Sequence, residues 1–140
     1  MTVLWMGLLS LKVGAQSVEF AAGVQTGQIP KNDLAEISGL TASRNNPGVL
    51  WVHNDQSRDS VYAVSTNGQL LATFRLGADV NDFEDIAIGP GPEPELQYLY
   101  CGDIGDNSAT RSSIRVYRAA EPAVYPYLAA NPISEDFPLV

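Results

Sequence analysis

The chain has 140 residues, of which 45% are hydrophobic, and this length and composition fit one modest globular domain rather than several domains or a disordered chain. Sixteen acidic residues against eight basic ones give a net charge of −8, which repels phosphate backbones, argues against a nucleic-acid partner and favours cations. The single cysteine, Cys101, rules out an internal disulfide and a thiolate metal site, and its apolar neighbours predict a small core residue on a strand.

The first fifteen residues predict a signal peptide. An apolar stretch from Val3 to Leu11 precedes Val13-Gly14-Ala15, a small-residue pattern that suits signal peptidase, and the stretch is too short to span a bilayer. No Lys or Arg precedes it, so a buried N-terminal strand or helix of a cytosolic protein is the alternative. The expected location is secreted or periplasmic, with no membrane span after cleavage.

Residues 16–35 predict an approach segment in which Val18-Glu19-Phe20 forms a short edge strand. Four short strands follow in quick succession, each bounded by Gly, Pro, Asn or Asp. They are Ile37 to Ala42, Val49 to His53, Val61 to Ser65 and Leu70 to Leu76.

Two turns join these predicted strands. Asn45-Asn46-Pro47-Gly48 separates the first pair, and Asn67-Gly68 joins the last pair as a type I′ turn, because both residues tolerate a positive φ. The pattern predicts a four-stranded meander.

The pattern then repeats. Glu36-Ile37-Ser38-Gly39-Leu40 returns as Glu84-Asp85-Ile86-Ala87-Ile88, 48 residues later, and the segment from Leu50 returns from Leu99, 49 residues later. Repeats of this length with several strands each indicate propeller blades, here at 36–83 and 84–122, with 123–140 opening a further blade. The predicted fold is an all-β, β-propeller-type chain of about two four-stranded blades, truncated from a larger ring, whose exposed edge strands favour a protein partner or self-association.

Acidic and amide side chains occupy equivalent loops of the two repeats, where a propeller would gather them around its axis. Ca²⁺ takes oxygen ligands in flexible geometry, so these loops predict a calcium site, and turn capping by the same side chains is the alternative. The candidate ligands are Glu36, Asn54, Asp55, Glu84, Asp85, Asp103, Asp106 and Asn107.

The basic residues Arg111, Arg115 and Arg118 follow the second acidic loop. Arg111 and Arg115 are candidates for binding a small anionic ligand such as a phosphate ester, and ion pairing with the Asp-rich loop is the alternative. His53 is the only histidine, which excludes a His₂Glu zinc site within this chain and favours a satisfied residue at a strand end over a catalytic one.

The strings EISGLTASRNNPGVLWVHND, NDFEDIAIGP and YLYCGDIGDN, followed by IRVYR, resemble a group of uncharacterised secreted bacterial β-propeller proteins over roughly Glu36 to Pro122. More distantly, the chain is similar to phytase-like and gluconolactonase-type propellers, and that resemblance implies acidic residues that bind Ca²⁺ and support hydrolysis of phosphate or lactone substrates. Members of the group continue into further blades, so the resemblance implies that this chain holds only part of such a site.

Three functions are compatible with these patterns. The leading hypothesis is an extracytoplasmic binding or scaffold module whose acidic loops hold Ca²⁺. A Ca²⁺-dependent hydrolase of phytase or lactonase type is the second, with a metal-activated water at Glu84, Asp85 and Asp103. A purely structural protein-interaction module is the third, and the sequence does not decide whether the chain is an enzyme.

Overall fold

The computed structural model describes residues 17–30, 34–55, 59–124 and 133–136. Within them the chain forms eight β-strands and no helix, and none of these residues could therefore cross a membrane as a helix. The strands are β1 (Ile37–Ala42), β2 (Val49–Asn54), β3 (Ser60–Ser65), β4 (Leu70–Arg75), β5 (Phe83–Pro90), β6 (Gln97–Asp103), β7 (Arg115–Ala120) and β8 (Ile133–Asp136). The all-β prediction is confirmed, and β1 to β4 lie within one residue of their predicted bounds.

The strands form two separate sheets that do not close into a barrel. The first sheet has the order β1-β2-β3-β4-β8, and its first four strands run antiparallel, as a meander requires. β8 adds in parallel beside β4, with Ala72 opposite Ile133, and the sequence analysis did not predict this pairing.

The second sheet has three antiparallel strands among the described residues, in the order β5-β6-β7. The sequence analysis predicted a fourth strand for this repeat, and no described segment pairs with the free side of β7. The two sheets meet where β1 and β2 of the first sheet contact β5 of the second.

The main hydrophobic core lies between the two sheets, because the strands of each sheet turn alternate side chains toward the other. Trp51 and Phe74 from the first sheet pack there edge to face with ring centroids 5.6 Å apart, and Ile86, Leu99 and Cys101 come from the second sheet. Burial of Cys101 confirms its predicted core position. A smaller cluster on the far face of the first sheet contains Val52, Tyr62 and Val64, covered by Leu34 and Ile29.

The hairpin between β3 and β4 differs from the predicted type I′ turn. The Gly68 N–H donates to the Ser65 carbonyl at 2.8 Å, and only Gly68 has a positive φ, of 90°, whereas Asn67 does not. This is a type I turn followed by a left-handed glycine, the geometry of a three-residue hairpin loop with a bulge. The register accordingly shifts between Ala63 and Val64.

Two further predictions fall on the N-terminal part of the chain. The predicted signal peptide lies outside the described residues. Residues 17–30, which include the predicted edge strand at Val18 to Phe20, form no strand within the single chain.

Candidate functional site

A buried ion pair organises the loop that follows β6. Asp103, the last residue of β6, is fully buried, and its Oδ1 accepts hydrogen bonds from Arg111 Nη1 and from the Asp82 backbone N–H, both at 2.9 Å. Burial raises the pKa of Asp103, but the hydrogen bonds from Asp82 and Arg111 outweigh burial and hold it below its usual range. Asp103 therefore stays ionised and fixes the arginine.

The loop from 104 to 110 is closed by its own acidic residue. Asp106 Oδ1 accepts the Thr110 N–H at 2.9 Å, and its Oδ2 accepts the Arg111 N–H at 3.0 Å, which lowers the pKa of this carboxyl. Arg111 Nη1 also donates to the Gly105 carbonyl at 2.8 Å. These bonds match the turn-capping alternative for Asp106. They also fix Arg111 at the end of the loop.

The end of this loop and the residues after it line an open pocket of about 300 Å³. The side chains of its lining residues carry two guanidinium groups, three hydroxyls and one amide. The lining residues are Asn81, Thr110, Arg111, Ser112, Ser113 and Arg115. Both of Arg111's hydrogen bonds to Asp103 and Gly105 use Nη1, so Nη2 has no hydrogen-bond partner among the described residues. The structure thus brings together the two arginines that the sequence analysis selected for an anion.

Two carboxylates lie close to Gly105 of this loop. A Cβ added at Gly105 would overlap Asp82 and Glu84, and both Asp82 Oδ2 and Glu84 Oε1 lie within 2.5 Å of that position. The two oxygens are therefore no more than about 5 Å apart, a separation at which like charges repel appreciably near a protein surface. Asp103 Oδ2 is buried nearby without a hydrogen-bond partner.

The equivalent loop of the first repeat uses its polar side chains on the backbone. Asn54 is buried, and its Oδ1 accepts the Glu36 N–H at 2.7 Å, while the Asp55 N–H donates to the Glu36 carbonyl at 3.0 Å. Asp55 Oδ1 accepts a hydrogen bond from the Ser38 hydroxyl. The Glu36 side chain is exposed.

His53 lies at the junction of the two sheets, beside Ser38 and Asp55. It is 1% exposed, packs edge to face against Phe83 at 5.7 Å between ring centroids, and has its Nδ1 3.9 Å from Asp55 Oδ1. Burial lowers the pKa of His53, against the opposing charges of Asp55 and Asp85. The ring is therefore neutral at pH 7.

Ser38, His53 and Asp55 do not form a catalytic triad in this geometry. Ser38 Oγ lies 3.4 Å from Nδ1 and 3.5 Å from Nε2 of His53, and an oxygen equidistant from both nitrogens cannot lie along the lone pair of either. The hydroxyl donates to Asp55 instead. His53 therefore lies near the end of β2, as expected, without a catalytic partner among these residues.

Glu121 is a polar centre that the sequence analysis missed. It directly follows β7, is 8% exposed, and accepts hydrogen bonds from the Trp51 indole N–H at 2.8 Å, the Ser43 hydroxyl at 2.5 Å and the backbone N–H groups of Arg44 and Asn45. This carboxylate joins the end of the second sheet to the β1–β2 turn. Its partners are more than 65 residues away in sequence, so no local pattern marks it.

The predicted calcium ligands are thus dispersed. Asp103 and Glu84 lie around the loop at Gly105, Asp106 closes that loop, Asp85 caps the Ile86 N–H at 2.8 Å, and Asn107 is exposed. Glu36, Asn54 and Asp55 belong to the other sheet. In the part of the chain that the structure describes, no three His, Cys, Asp or Glu residues are grouped closely enough to hold a metal ion.

No protein-family model, no curated protein and no solved structure matches the chain.

Proposed function

We propose that the chain is a binding module that holds a small oxyanion in the pocket between Asn81 and the start of β7. The observation that carries this proposal is the lining of the pocket, which offers two guanidinium groups and four neutral polar side chains. Guanidinium groups match the oxygen spacing of phosphate, sulfate and carboxylate, and hydroxyl and amide donors complete the coordination of such oxygens.

The fixed position of Arg111 supports the same proposal. Its bonds to Asp103 and Gly105 immobilise the guanidinium before a ligand arrives, which lowers the entropic cost of binding. Arg115, at the first position of β7, is exposed and supplies a positive charge in addition to Arg111, whose charge Asp103 balances. The lining residues include no His, Asp or Glu that could act as a general base, so binding without turnover is the activity we propose for this pocket.

The architecture supports a propeller-type origin for the module. β1-β2-β3 and β5-β6-β7 share one antiparallel order, and the first strands of the two sheets, β1 and β5, are neighbours, as in consecutive blades. We accordingly propose that the two sheets are adjacent blades of a secreted or periplasmic propeller.

Calorimetric titration with inorganic phosphate and sulfate tests the anion site. Arg115→Gln should weaken binding about tenfold or more, because a charge-assisted hydrogen bond contributes roughly 1.5–3 kcal/mol. Arg75→Gln is the matched control, since Arg75 is an exposed arginine on β4 and its removal changes the net charge equally. Absence of binding by the unmodified protein, or equal weakening by the two variants, would contradict the proposal.

Calcium binding at Gly105 is a second candidate function. It is favoured by the close approach of Asp82 and Glu84, whose repulsion a cation would relieve, with backbone carbonyls and water completing the oxygen coordination. Thermal unfolding with Ca²⁺ and then with excess chelator tests it, since a ligand at a hundred times its Kd adds about 2.7 kcal/mol to stability. The shift should disappear in Glu84→Gln and persist in Glu95→Gln, a loop residue that is equally exposed.

A further inference from the structure

The second sheet has an open edge. β7 pairs with β6 on one side, and along the described chain no strand pairs with the other side. The edges β1 and β5 differ, because these two strands lie against each other, while the remaining edge is the four-residue strand β8 beside β4. An unpaired strand edge exposes a row of N–H and C=O groups that can pair with another chain.

The open edge is apolar as well as unpaired. Val116 in β7 is 62% exposed, and Ile114, two residues earlier, is 61% exposed. Arg115 lies between them and is exposed too. A strand that covers this edge would therefore gain from apolar side chains and a carboxylate.

A segment with that pattern lies unused elsewhere in the chain. Residues 17–20 alternate Val18, Glu19 and Phe20, and the two apolar side chains are 76% and 91% exposed. Period-two alternation is typical of a strand, yet the segment pairs with no described residue. Two large apolar side chains on one short segment are thus available to pack against the apolar side chains of an unpaired edge.

The segment projects as an arm because the residues that follow it are anchored. Thr26 Oγ1 donates to the Thr66 carbonyl at 2.8 Å, and Gly27 lies so close to Asn67 that a Cβ there would overlap the Asn67 backbone. Residues 17–20, the arm, are thus attached to the β3–β4 hairpin of the first sheet through the residues that follow them. Val18 and Phe20 stay exposed, so β7 of the same copy does not cover the arm.

We propose that residues 17–20 of one copy add as a strand to the open edge of β7 in a second copy. Glu19 would then lie near Arg115, where its carboxylate would compete with the proposed anion, and Val18 and Phe20 would cover Ile114 and Val116, which do not line the anion pocket. The reciprocal exchange gives a symmetric dimer, in which each second sheet gains a fourth strand. Two four-residue additions bury less area than a standard interface, so we expect a dissociation constant in the micromolar range.

Light scattering coupled to size-exclusion chromatography, over a dilution series of the full chain, tests this proposal. The unmodified protein should be a dimer that dissociates on dilution, and Phe20→Asp or Val116→Asp should raise the dissociation constant at least tenfold. Val24→Asp is the control, because Val24 is 84% exposed but lies outside the arm segment.

Exchanging the charges of Glu19 and Arg115 distinguishes specific strand addition from nonspecific hydrophobic association. Glu19→Arg and Arg115→Glu should each weaken the dimer, and the double variant should restore it, because the opposite charges again face each other. A monomer at every concentration, an equal effect of Val24→Asp, or a double variant no better than the single ones would overturn the proposal. An arm that pairs within its own copy would appear as a monomer, which Phe20→Asp destabilises.

Discussion

His53 makes the stability of the junction between the two sheets depend on pH. It extends from β2 into a space bounded by Ser38 and Gly39 of β1 and by Phe83 of β5, and a Cβ added at Gly39 would overlap its ring. The groups that face it with charge are Asp55, Glu84 and Asp85. Burial nevertheless dominates and keeps the pKa of His53 below 6.5.

The free energy of unfolding should therefore fall as the pH drops below about 6.5. Below pH 6.5 the unfolded chain binds a proton at His53 while the folded chain does not, so the free energy of unfolding declines until the pH reaches the lower pKa of the folded state. Above pH 6.5 His53 is neutral in both states and does not change the stability. One proton changes stability by at most about 1.4 kcal/mol per pH unit. Urea unfolding at pH 7.5 and 5.5 measures this difference.

His53→Gln is the comparison for that experiment, since it keeps a polar side chain and removes the titration. Its stability should change less between the two pH values than that of the unmodified protein. An equal loss in both proteins would show that carboxylates elsewhere, rather than His53, carry the pH dependence.

At the level of secondary structure, the turns of the first sheet depend on two glycines in the left-handed region. Gly48 has a φ of 77° and no atom near the position of a Cβ, whereas Gly68 has a φ of 90° and a Cβ there would overlap the Gln28 carbonyl. Both positions require a left-handed backbone, but only at Gly68 would an added Cβ also overlap a neighbouring segment.

Gly48→Ala should cost about 1 kcal/mol, the usual penalty for a non-glycine residue in this conformation. Gly68→Ala should cost more, because the segment at Gln28 must also move away from the hairpin. Urea unfolding of the two variants measures the difference. Equal destabilisation would indicate that residues 26–28 do not pack against the hairpin in solution.

These elements also show what the sequence could and could not predict. Short apolar runs between turn residues sufficed to place β1 to β4, and β2 and β3 are buried on both faces, so their sequences need not alternate. The apolar residues at Val18 and Phe20 were not enough, since a strand also requires an edge to pair with, and pairing is a property of the whole sheet. The Asn67-Gly68 pair marked the turn but not its type, which depends on the loop length.

Some contacts of the candidate site could likewise be predicted from the sequence, and others could not. The Arg111–Asp103 pair is eight residues apart, and its residue types made ion pairing predictable. The pocket brings in Asn81 from the loop before β5, and Glu121 receives its hydrogen bonds from the β1–β2 turn and Trp51. Such contacts follow from how the two sheets stack, which no local pattern contains.

At the scale of the whole molecule, the two sheets share one core and should unfold together. Trp51 of the first sheet packs in the same buried cluster as Leu99 and Cys101 of the second, and Glu121 ties Trp51 to the end of β7. Separating the sheets would expose this cluster to water and leave the Glu121 carboxylate without its indole donor. Both consequences oppose the opening of one sheet alone.

Trp51 and Cys101 are natural probes of the two sheets. Trp51 fluorescence, recorded in a Trp5→Phe background, reports on the first sheet. Cys101 reports on the second, because it is buried and burial raises the pKa of its thiol to about 12, so that reaction with a thiol reagent requires opening of the structure. We expect the free energy of opening from thiol labelling to equal the free energy of unfolding from fluorescence, with Cys101→Ser as the blank for the reagent. Labelling at a clearly lower free energy would mean that β5-β6-β7 opens while the first sheet remains folded, and the core at Trp51 would then be too weak to join the two sheets into one cooperative unit.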